Sequence, residues 1–358
     1  MGKGAGNDLG VSKTAQSGVF RESTRYGEEE MNRRTAIRLL TTFFLTTASL
    51  AEAQQAGKIF RIGYLDNSTA AGSAVVVKVF RQELRKLGWI EGKNITIEYR
   101  FAEQKNERLP ELAVELVRLK VDLIVTSGAP TALVAKKATS TIPIVMAGST
   151  DPVGEGLVAS LARPGGNITG FSNLDAELNT KRLEILKDAV PKLARVGLLR
   201  GSGTSIASDL QLKELRPAAL YLKLKLEEIK TQLDAKSLES AFQTAKQKQV
   251  GAIMTLGPLF FAERKRIVEL AVKYRLPAIY PQKEFVDDGG LMSYGADFDD
   301  LYRKAAHYVD KILKGAKPAD LPVQQAMKFE FVINLKAAKQ VGLTLSPEFL
   351  SRANRVIK

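Results

Sequence analysis

The sequence contains no cysteine, only one histidine, His307, and only one tryptophan, Trp89. The absence of cysteine excludes disulfides, thiolate metal ligands, a cysteine nucleophile and a lipid anchor on a cysteine. His307 lies inside the apolar-periodic stretch LYRKAAHYVDKIL, where a structural role is expected, so a nucleophile triad or a nitrogen-and-sulfur zinc site is not supported. We therefore predict no catalytic residue and no metal site.

The best cofactor signal is the segment GSGTSI at 201–206, which is also incomplete. It supplies two of the three glycines of a dinucleotide-binding turn, but Ile206 occupies the third position. We therefore predict that the protein binds no cofactor.

Long hydrophobic runs are also scarce, and the one at Leu39–Leu50 is too short to span a membrane, which needs roughly 20 apolar residues. Three arginines precede this run: Arg33, Arg34 and Arg38. The segment Ala51-Glu52-Ala53 follows it and places small residues at the two positions that a signal peptidase recognises. This pattern predicts a secretory signal peptide over 31–53. Residues 1–30 are polar and aperiodic, which predicts a disordered upstream extension with Met31 as the biological start.

Export by the general or the twin-arginine route remains open, since Arg33-Arg34 is followed by only a weak apolar residue pair. A cysteine-free exported chain predicts a periplasmic protein that is not lipid-anchored, and we expect a monomer. The net charge is +14, but the basic residues are spread along predicted helix faces rather than clustered. With export, this favours a solvated surface over a nucleic-acid partner.

From Ile59 onward, short apolar runs alternate with amphipathic stretches. IFRIGYL, VDLIVTSG and IPIVMAG are continuous apolar strands, and AVVVKVFRQELRKLGW places Val76, Phe80, Leu84 and Leu87 on one helical face. A further helix is predicted from Val153. Buried strands separated by helices predict an α/β fold in which a parallel sheet is covered on both faces.

The alternation restarts after about residue 174, so the sequence predicts two similar lobes. The segments ARPGGNITGFSN and DDGGLMSYGAD separate the two series, and the helix at 298–314 has no strand pair of its own. We predict lobe 1 over 58–173 plus about 293–320, and lobe 2 over 174–292 plus about 321–358.

In an open parallel sheet, ligands bind at the carboxyl ends of the strands. Small hydroxyl residues and backbone amides at the helix starts there suit a carboxylate, and Asp66 or Asp151 suits an ammonium group. Aromatic residues of the second series supply apolar walls. The predicted ligand-binding residues are Asp66, Asn67, Ser68, Thr69, Ser127, Gly128, Ala129, Ser149, Thr150, Asp151, Gly201, Ser202, Gly257, Pro258, Phe260, Tyr280, Phe285 and Tyr294, and Phe261 is a further candidate for the apolar wall. Helix capping by the hydroxyl residues and core packing by the aromatic residues are the structural alternatives.

Two long stretches, IPIVMAGSTDPVGEGLVASLARPGGNITGFSN and LPVQQAMKFEFVINLKAAKQVGLTLSPEFLSRANRVI, resemble the solute-binding component of a family of ABC importers. The resemblance covers about 57–358 and implies the type I periplasmic-binding-protein fold, with two α/β lobes, three hinge crossings and a ligand cleft. It also implies cleft positions at Asn67 and Ser68, Ser127 and Gly128, and Thr150 and Asp151. Some members of the family bind tryptophan or tyrosine.

The sequence thus predicts a periplasmic receptor that closes on a small solute, an amino acid or related carboxylate, and delivers it to an ABC permease. A sensory subunit that signals to a membrane kinase is the alternative of the same fold. A gene repressor is disfavoured, because an export signal stands where repressors carry a DNA-binding helix-turn-helix. An exported α/β enzyme is the remaining class, which turnover of a bound solute would reveal.

Overall fold

The computed structural model describes residues 58–202, 206–256 and 258–358. The upstream extension predicted over 1–30 and the signal peptide predicted over 31–53 lie outside the described residues. Within the described part, none of the helices is long and apolar enough to cross a membrane.

The first sheet has six strands in the order β11-β5-β4-β3-β1-β2, and every pair is parallel. Its strands are β1 (Phe60–Asp66), β2 (Ile95–Phe101), β3 (Leu123–Thr126), β4 (Ile144–Met146), β5 (Ile168–Ser172) and β11 (Gln324–Gln325). We call this sheet and the helices packed on it the first lobe.

The second sheet has seven strands in the order β13-β12-β10-β9-β8-β6-β7 and forms the second lobe with its helices. Its strands are β6 (Arg195–Gly201), β7 (Lys225–Thr231), β8 (Ala252–Thr255), β9 (Ala278–Tyr280), β10 (Met292–Ala296), β12 (Phe329–Asn334) and β13 (Arg355–Ile357). This sheet departs from the predicted parallel arrangement at one pair, because β10 and β12 are antiparallel. The chain leaves this sheet at Ala296 and re-enters beside it at Phe329, so β12 runs in the opposite direction.

Eleven α-helices cover the two sheets in the described chain. They are α1 (Ala70–Lys86), α2 (Leu109–Arg118), α3 (Ala129–Ala138), α4 (Asp175–Ala189), α5 (Ile206–Tyr221), α6 (Ala235–Gln247), α7 (Arg264–Lys273), α8 (Glu284–Asp287), α9 (Phe298–Leu313), α10 (Leu335–Gln340) and α11 (Pro347–Ser351).

The first sheet is buried on both faces, which explains why its strands are apolar without alternation. One face packs Tyr64 against Phe80 of α1 and Leu301 of α9. The other face packs Leu65 and Ile124 against helices α2 and α3. Because each strand must exclude water from both sides, β1 and β3 carry no charged residue in their central positions.

The chain passes between the lobes three times in the described residues: after β5, between β10 and α9, and between β11 and β12. The predicted lobe boundaries near 293 and 320 differ from the hydrogen-bonded sheets. Met292–Ala296 still belongs to the second sheet, and Gln324–Gln325 still belongs to the first. A two-residue strand such as β11 leaves no pattern in the sequence, so the sequence does not show that the chain stays in the first lobe as far as Gln325.

The helix predicted from Val153 is also wrong, since residues 152–156 form turns. Gly156 has a φ of +71°, and the Gly154 amide donates to the Asp151 carboxylate instead of entering a helical ladder. Pro152 and the two glycines therefore favour a compact loop over a helix.

Candidate functional site

A cleft opens between the two lobes at the carboxyl ends of β1, β3 and β9. The first lobe contributes the loops after β1 and β3, with Asn67, Ser68, Ser127 and Gly128 on its wall. The second lobe contributes Phe261, Gln282 and Glu284, and the start of α9 contributes Phe298 and Tyr302. The wall that each lobe presents thus combines polar groups with aromatic rings.

Asp66 ties the two first-lobe loops together. It is buried, and its carboxylate accepts from the Ser68 amide at 2.9 Å, the Ser127 hydroxyl at 3.0 Å and the Ser73 hydroxyl at 2.6 Å. The Tyr64 hydroxyl lies 3.3 Å away as well. These four donors occupy both carboxylate oxygens, so Asp66 holds the neighbouring loops in place. No lone pair of the Asp66 carboxylate is left in this arrangement for the predicted contact with a ligand ammonium group.

Two helix starts point at the first-lobe wall. Thr69 caps α1 by accepting from the Gly72 amide at 3.0 Å, and at α3 the Thr131 hydroxyl donates to the Gly128 carbonyl at 2.8 Å. The Ser68 hydroxyl is buried beside α1 and has no hydrogen-bond partner among the described residues. A helix N-terminus and an unpaired hydroxyl together suit a carboxylate group.

The second-lobe wall carries the acidic group of the cleft. Glu284 begins the short helix α8, and burial raises the pKa of its carboxyl above the usual value. The neighbouring Lys283 points elsewhere and forms ion pairs with Asp299 at 2.9 Å and Glu330 at 3.6 Å. Glu284 is therefore the cleft carboxyl best placed to meet a cationic group.

The aromatic residues separate into cleft and core. Phe261 and Phe298 line the cleft. Three predicted site residues do not: Phe260, Tyr280 and Phe285 are fully buried in the second-lobe core, where the Tyr280 and Phe285 rings stack at 4.5 Å. Tyr294 packs edge-on against Phe331 at 6.2 Å. These four residues pack in the second-lobe core, in agreement with the structural alternative.

The loop after β4 lies outside the residues that line the cleft. In it, Ser149 donates to the buried carboxyl of Glu155, and Asp151 accepts from the Gly154 amide at 2.9 Å. Thr150 contacts Gln211 of the second lobe at 3.5 Å. The predicted site residues Ser149, Thr150 and Asp151 therefore hold the loop after β4 in place, and none of the three lines the cleft.

The remaining predicted site residues are placed as follows. Thr69 and Ala129 occupy the cap of α1 and the first turn of α3. Gly201 ends β6, and the Ser202 amide donates to the Thr231 carbonyl at 3.0 Å. Pro258 opens a 3-10 turn that runs to Phe261, and Gly257 lies outside the described residues.

Glu155 is a buried carboxyl group with few hydrogen bonds to offset the cost of burying its charge. Burial raises the pKa of its carboxyl to about 7, although the Ser149 hydroxyl donates to it. Its second oxygen has no partner in the described part of the chain. This carboxyl therefore exchanges its proton near neutral pH.

A buried polar chain connects the loop at Thr150 to the crossing segments. Gln211 accepts from Asn179, and Asn179 in turn accepts from the Arg182 guanidinium at 2.6 Å. Arg182 is buried, pairs with Asp175 at 2.8 Å and donates to the Tyr294 carbonyl of β10. The start of α4 and strand β10 are thus held together next to two of the crossings.

No grouping of His, Asp and Glu with the spacing of a metal site occurs among the described residues. His307 lies on the surface of α9, with its Nε2 atom 3.2 Å from Glu83, and it does not line the cleft.

Two lobes of mainly parallel sheet around a polar and aromatic cleft define the class of two-lobed periplasmic binding proteins, and the predicted α/β fold class is confirmed. Residues 71–357 match the family described as ABC transporter substrate binding protein. The chain belongs to this family, as the two resembling stretches indicated.

Individual relatives agree with that assignment. A tyrosine-binding protein of Clostridioides difficile (strain R20291) is 30% identical over 270 residues, which are 74% of this chain and 76% of the relative. A conserved domain protein from Vibrio cholerae has a TM-score of 0.78 at 28% identity, covering 84% of this chain and 100% of its own. A domain from Streptococcus pneumonia in complex with L-Trp has a TM-score of 0.76 at 27% identity, with coverage of 84% and 100%.

Eight residues that line the cleft were not predicted: Ser73, Val76, Pro130, Thr131, Gln282, Glu284, Phe298 and Tyr302. Glu284 lies in the segment PQKEF after β9, where the strand-end rule pointed, but the rule does not say which side chain of a loop faces the ligand. Phe298 and Tyr302 come from the helix that returns from the second sheet, and no local pattern marks them.

Proposed function

We propose that this protein is the receptor of an ABC importer and binds a zwitterionic amino acid with an aromatic side chain. In the proposed pose, the ligand carboxylate lies at the helix starts beside Ser68 and Ser127, and the ligand ammonium group meets Glu284. Phe261 and Phe298 contact the side chain. The observation that carries this proposal is the opposition of anion-binding groups on one wall to an acid on the other.

The mechanism is hinge closure driven by differential affinity. A ligand that contacts both walls gains all its interactions only when the lobes approach, so it shifts the population toward the closed form. The closed form then presents both lobes to the permease in one fixed arrangement. The tyrosine-binding relative and the L-Trp complex support this ligand class.

Isothermal titration with four related compounds tests the pose. L-tyrosine carries both charged groups, tyramine lacks the carboxylate, 3-(4-hydroxyphenyl)propionate lacks the ammonium group, and D-tyrosine has the opposite configuration. We expect L-tyrosine to bind and each single-charge analogue to bind at least about tenfold more weakly, because a charge-assisted hydrogen bond is lost. Equal binding of tyramine and L-tyrosine would refute a carboxylate site at the helix starts.

Glu284→Gln tests the acidic wall directly. We expect a loss of L-tyrosine affinity of about 1.5–3 kcal/mol, as for hydrogen bonds to charged groups. The wild-type affinity should fall as the pH is lowered through the raised pKa of Glu284, because the protonated acid no longer attracts an ammonium group. Glu269→Gln, at an exposed position of α7 in the same lobe, is the matched control and should bind as the wild type does.

We also propose that the chain works in the periplasm after cleavage behind Ala53. Amino-terminal sequencing of the protein recovered from the periplasmic fraction should then begin at Gln54. A protein retained in the cytoplasmic fraction with residues 31–53 intact would exclude the receptor role, whatever its ligand.

A further inference from the structure

The first lobe has a second concavity, a groove of about 630 Å³ between α1 and β2. None of the residues that line it lines the cleft. Val77, Tyr99 and Phe101 form its apolar walls, with the two aromatic rings stacked at 6.1 Å. Trp89 closes one end and is anchored by a hydrogen bond of 2.8 Å to Asp310.

One side of the groove is a free sheet edge. β2 pairs only with β1 among the described strands. The Phe60 amide donates to Asn94, and the Ala102 amide donates to Asp66, so the even-numbered residues of this segment face β1. In a parallel pair, the backbone groups of the intervening residues Ile97, Tyr99 and Phe101 then point outward. The Tyr99 carbonyl accepts from its neighbour Arg100, and the other outward groups are available to a new strand.

The other three sheet edges of the described chain are protected and β2 is not. β11 and β13 are two and three residues long, too short to template another strand. β7 has seven residues, but four of them are charged in the segment KLEEIKT. β2 also has seven residues, of which only Glu98 and Arg100 are charged. Neither lines the groove, and Arg100 pairs with Glu115 at 2.8 Å on the opposite face. Short or charged edges are the usual defence against unwanted strand pairing.

The charge along the groove indicates the kind of occupant. Lys78, Arg81 and Arg85 line it together with a single acid, Glu91. Arg81 pairs with Glu91 at 2.8 Å, whereas Lys78 and Arg85 have no acid within ion-pair distance in the described chain. A second copy of this protein would bring the same basic residues into contact, so self-pairing through β2 is electrostatically disfavoured.

We propose that this groove binds an extended peptide segment with apolar and acidic side chains, which adds a strand to the free edge of β2. The outward backbone groups of β2 supply main-chain hydrogen bonds, as in other cases of strand addition. The apolar side chains of the peptide lie against Val77 and Phe101, and its acidic side chains face Lys78 and Arg85. The groove is thus an interaction surface for a protein partner, separate from the solute cleft.

Trp89 makes the test direct, because it is the only tryptophan of the chain and lies in the groove. The probe is a synthetic peptide in which every second residue is threonine. The residues between the threonines are phenylalanine, valine, aspartate and glutamate, in that order, so that these four side chains share one face of the strand. Its reversed sequence covers the other strand direction. Binding is followed by Trp89 emission and, independently, by the anisotropy of the fluorescein-labelled peptide.

We expect saturable binding that weakens as salt is added, and no binding of the peptide with lysine in place of both acids. Methylation of the peptide nitrogens that face β2 should weaken binding by about tenfold or more, since the strand hydrogen bonds are lost. Arg85→Glu should weaken it similarly. Lys86→Glu, the next residue of α1 but outside the groove, is the matched control and should leave binding unchanged.

Several results would overturn the proposal. They are equal binding of the lysine peptide, equal binding of the methylated peptide, or no anisotropy change with either sequence direction at millimolar peptide. Saturation of the Trp89 signal by decanoate alone would show a site for small amphiphiles instead. A dimer in sedimentation velocity that Arg85→Glu dissociates would show that a second copy occupies the edge.

Discussion

At the scale of single residues, Glu155 retains its proton in the folded protein at a pH where an exposed glutamate has lost it. The folded state therefore binds the proton more tightly than the unfolded state, so this group stabilises the protein at low pH and loses that effect as the pH rises from about 4.5 to about 7. Glu155→Gln removes the titration. It should leave the free energy of unfolding unchanged at about pH 4 and increase it above about pH 7, by up to roughly 3 kcal/mol.

Urea unfolding at a series of pH values measures this difference. The mutant-minus-wild-type free energy should rise with pH through the window between the two pKa values. Glu348→Gln makes the same substitution at an exposed position and serves as the control. A Glu155→Gln difference that is constant with pH would show that the buried carboxyl does not titrate as described.

Gly295 is required by a close backbone approach. A Cβ atom at this position would lie 1.8 Å from the Pro281 carbonyl oxygen, and Pro281 immediately precedes the cleft residue Gln282. Gly295→Ala must therefore displace the loop that carries Glu284. We expect destabilisation of about 1–3 kcal/mol, typical of overpacking, together with weaker solute binding.

Thermal unfolding and titration with L-tyrosine check both effects of Gly295→Ala. Gly166→Ala is the matched control, since a Cβ atom there meets nothing within 4 Å. If Gly295→Ala matched that control in both measurements, the contact with Pro281 would not constrain the cleft.

The same scale shows what the sequence could predict about the site. The strand-end rule pointed to loops after β1 and β3, and their residues Asn67, Ser68, Ser127 and Gly128 line the cleft. It failed to separate neighbours: Phe260 enters the core while Phe261 faces the cleft, and Phe285 is buried while Glu284 lines it. The conformation of the turn decides which of two adjacent side chains faces the cleft. Residue type alone does not determine that conformation.

At the scale of elements, the buried Arg182 links the first turn of α4 to strand β10. It pairs with Asp175 and donates to Asn179 and to the Tyr294 carbonyl. Arg182→Met leaves the Asp175 carboxylate beside a buried apolar side chain. Loss of one partner of a buried pair is strongly destabilising, so we expect a loss of about 3–5 kcal/mol.

The double variant Arg182→Met, Asp175→Asn should recover part of that loss, because the unpaired charge is gone. Lys181→Met, at the neighbouring exposed position, should change the free energy of unfolding by less than about 0.5 kcal/mol. Chemical denaturation of the four proteins measures these values. A single Arg182→Met variant as stable as the wild type would mean that the pair contributes nothing to folding.

Elements with strong local patterns were predictable, and elements defined by long-range pairing were not. The apolar run IFRIGYL became β1, and the amphipathic stretch after it became α1, with Phe80 and Leu84 buried as the helical face required. In contrast, β11 and β13 are too short to carry a periodic signal and form only because distant strands offer them an edge. The antiparallel direction of β12 likewise depends on where the chain re-enters the second sheet.

At the scale of the whole molecule, three connections join the lobes, and the cleft lies beside them. If the proposed closure occurs, residues at the outer rims of the two lobes must approach each other when solute binds, while distances within one lobe stay fixed. The chain contains no cysteine, so introduced cysteines are the only sites that a thiol-reactive spin label can modify.

Glu107→Cys on the first lobe and Lys236→Cys on the second place one label on each exposed rim. Electron–electron distance measurement should give a shorter and narrower distribution with saturating L-tyrosine than without it, because the ligand selects the closed state. The pair Glu107→Cys and Lys137→Cys, both on the first lobe, is the control and should show one unchanged distance. If L-tyrosine binds by titration and yet leaves the inter-lobe distribution unaltered, then the protein recognises its solute as a rigid cleft, and the permease cannot distinguish the loaded receptor by its closure.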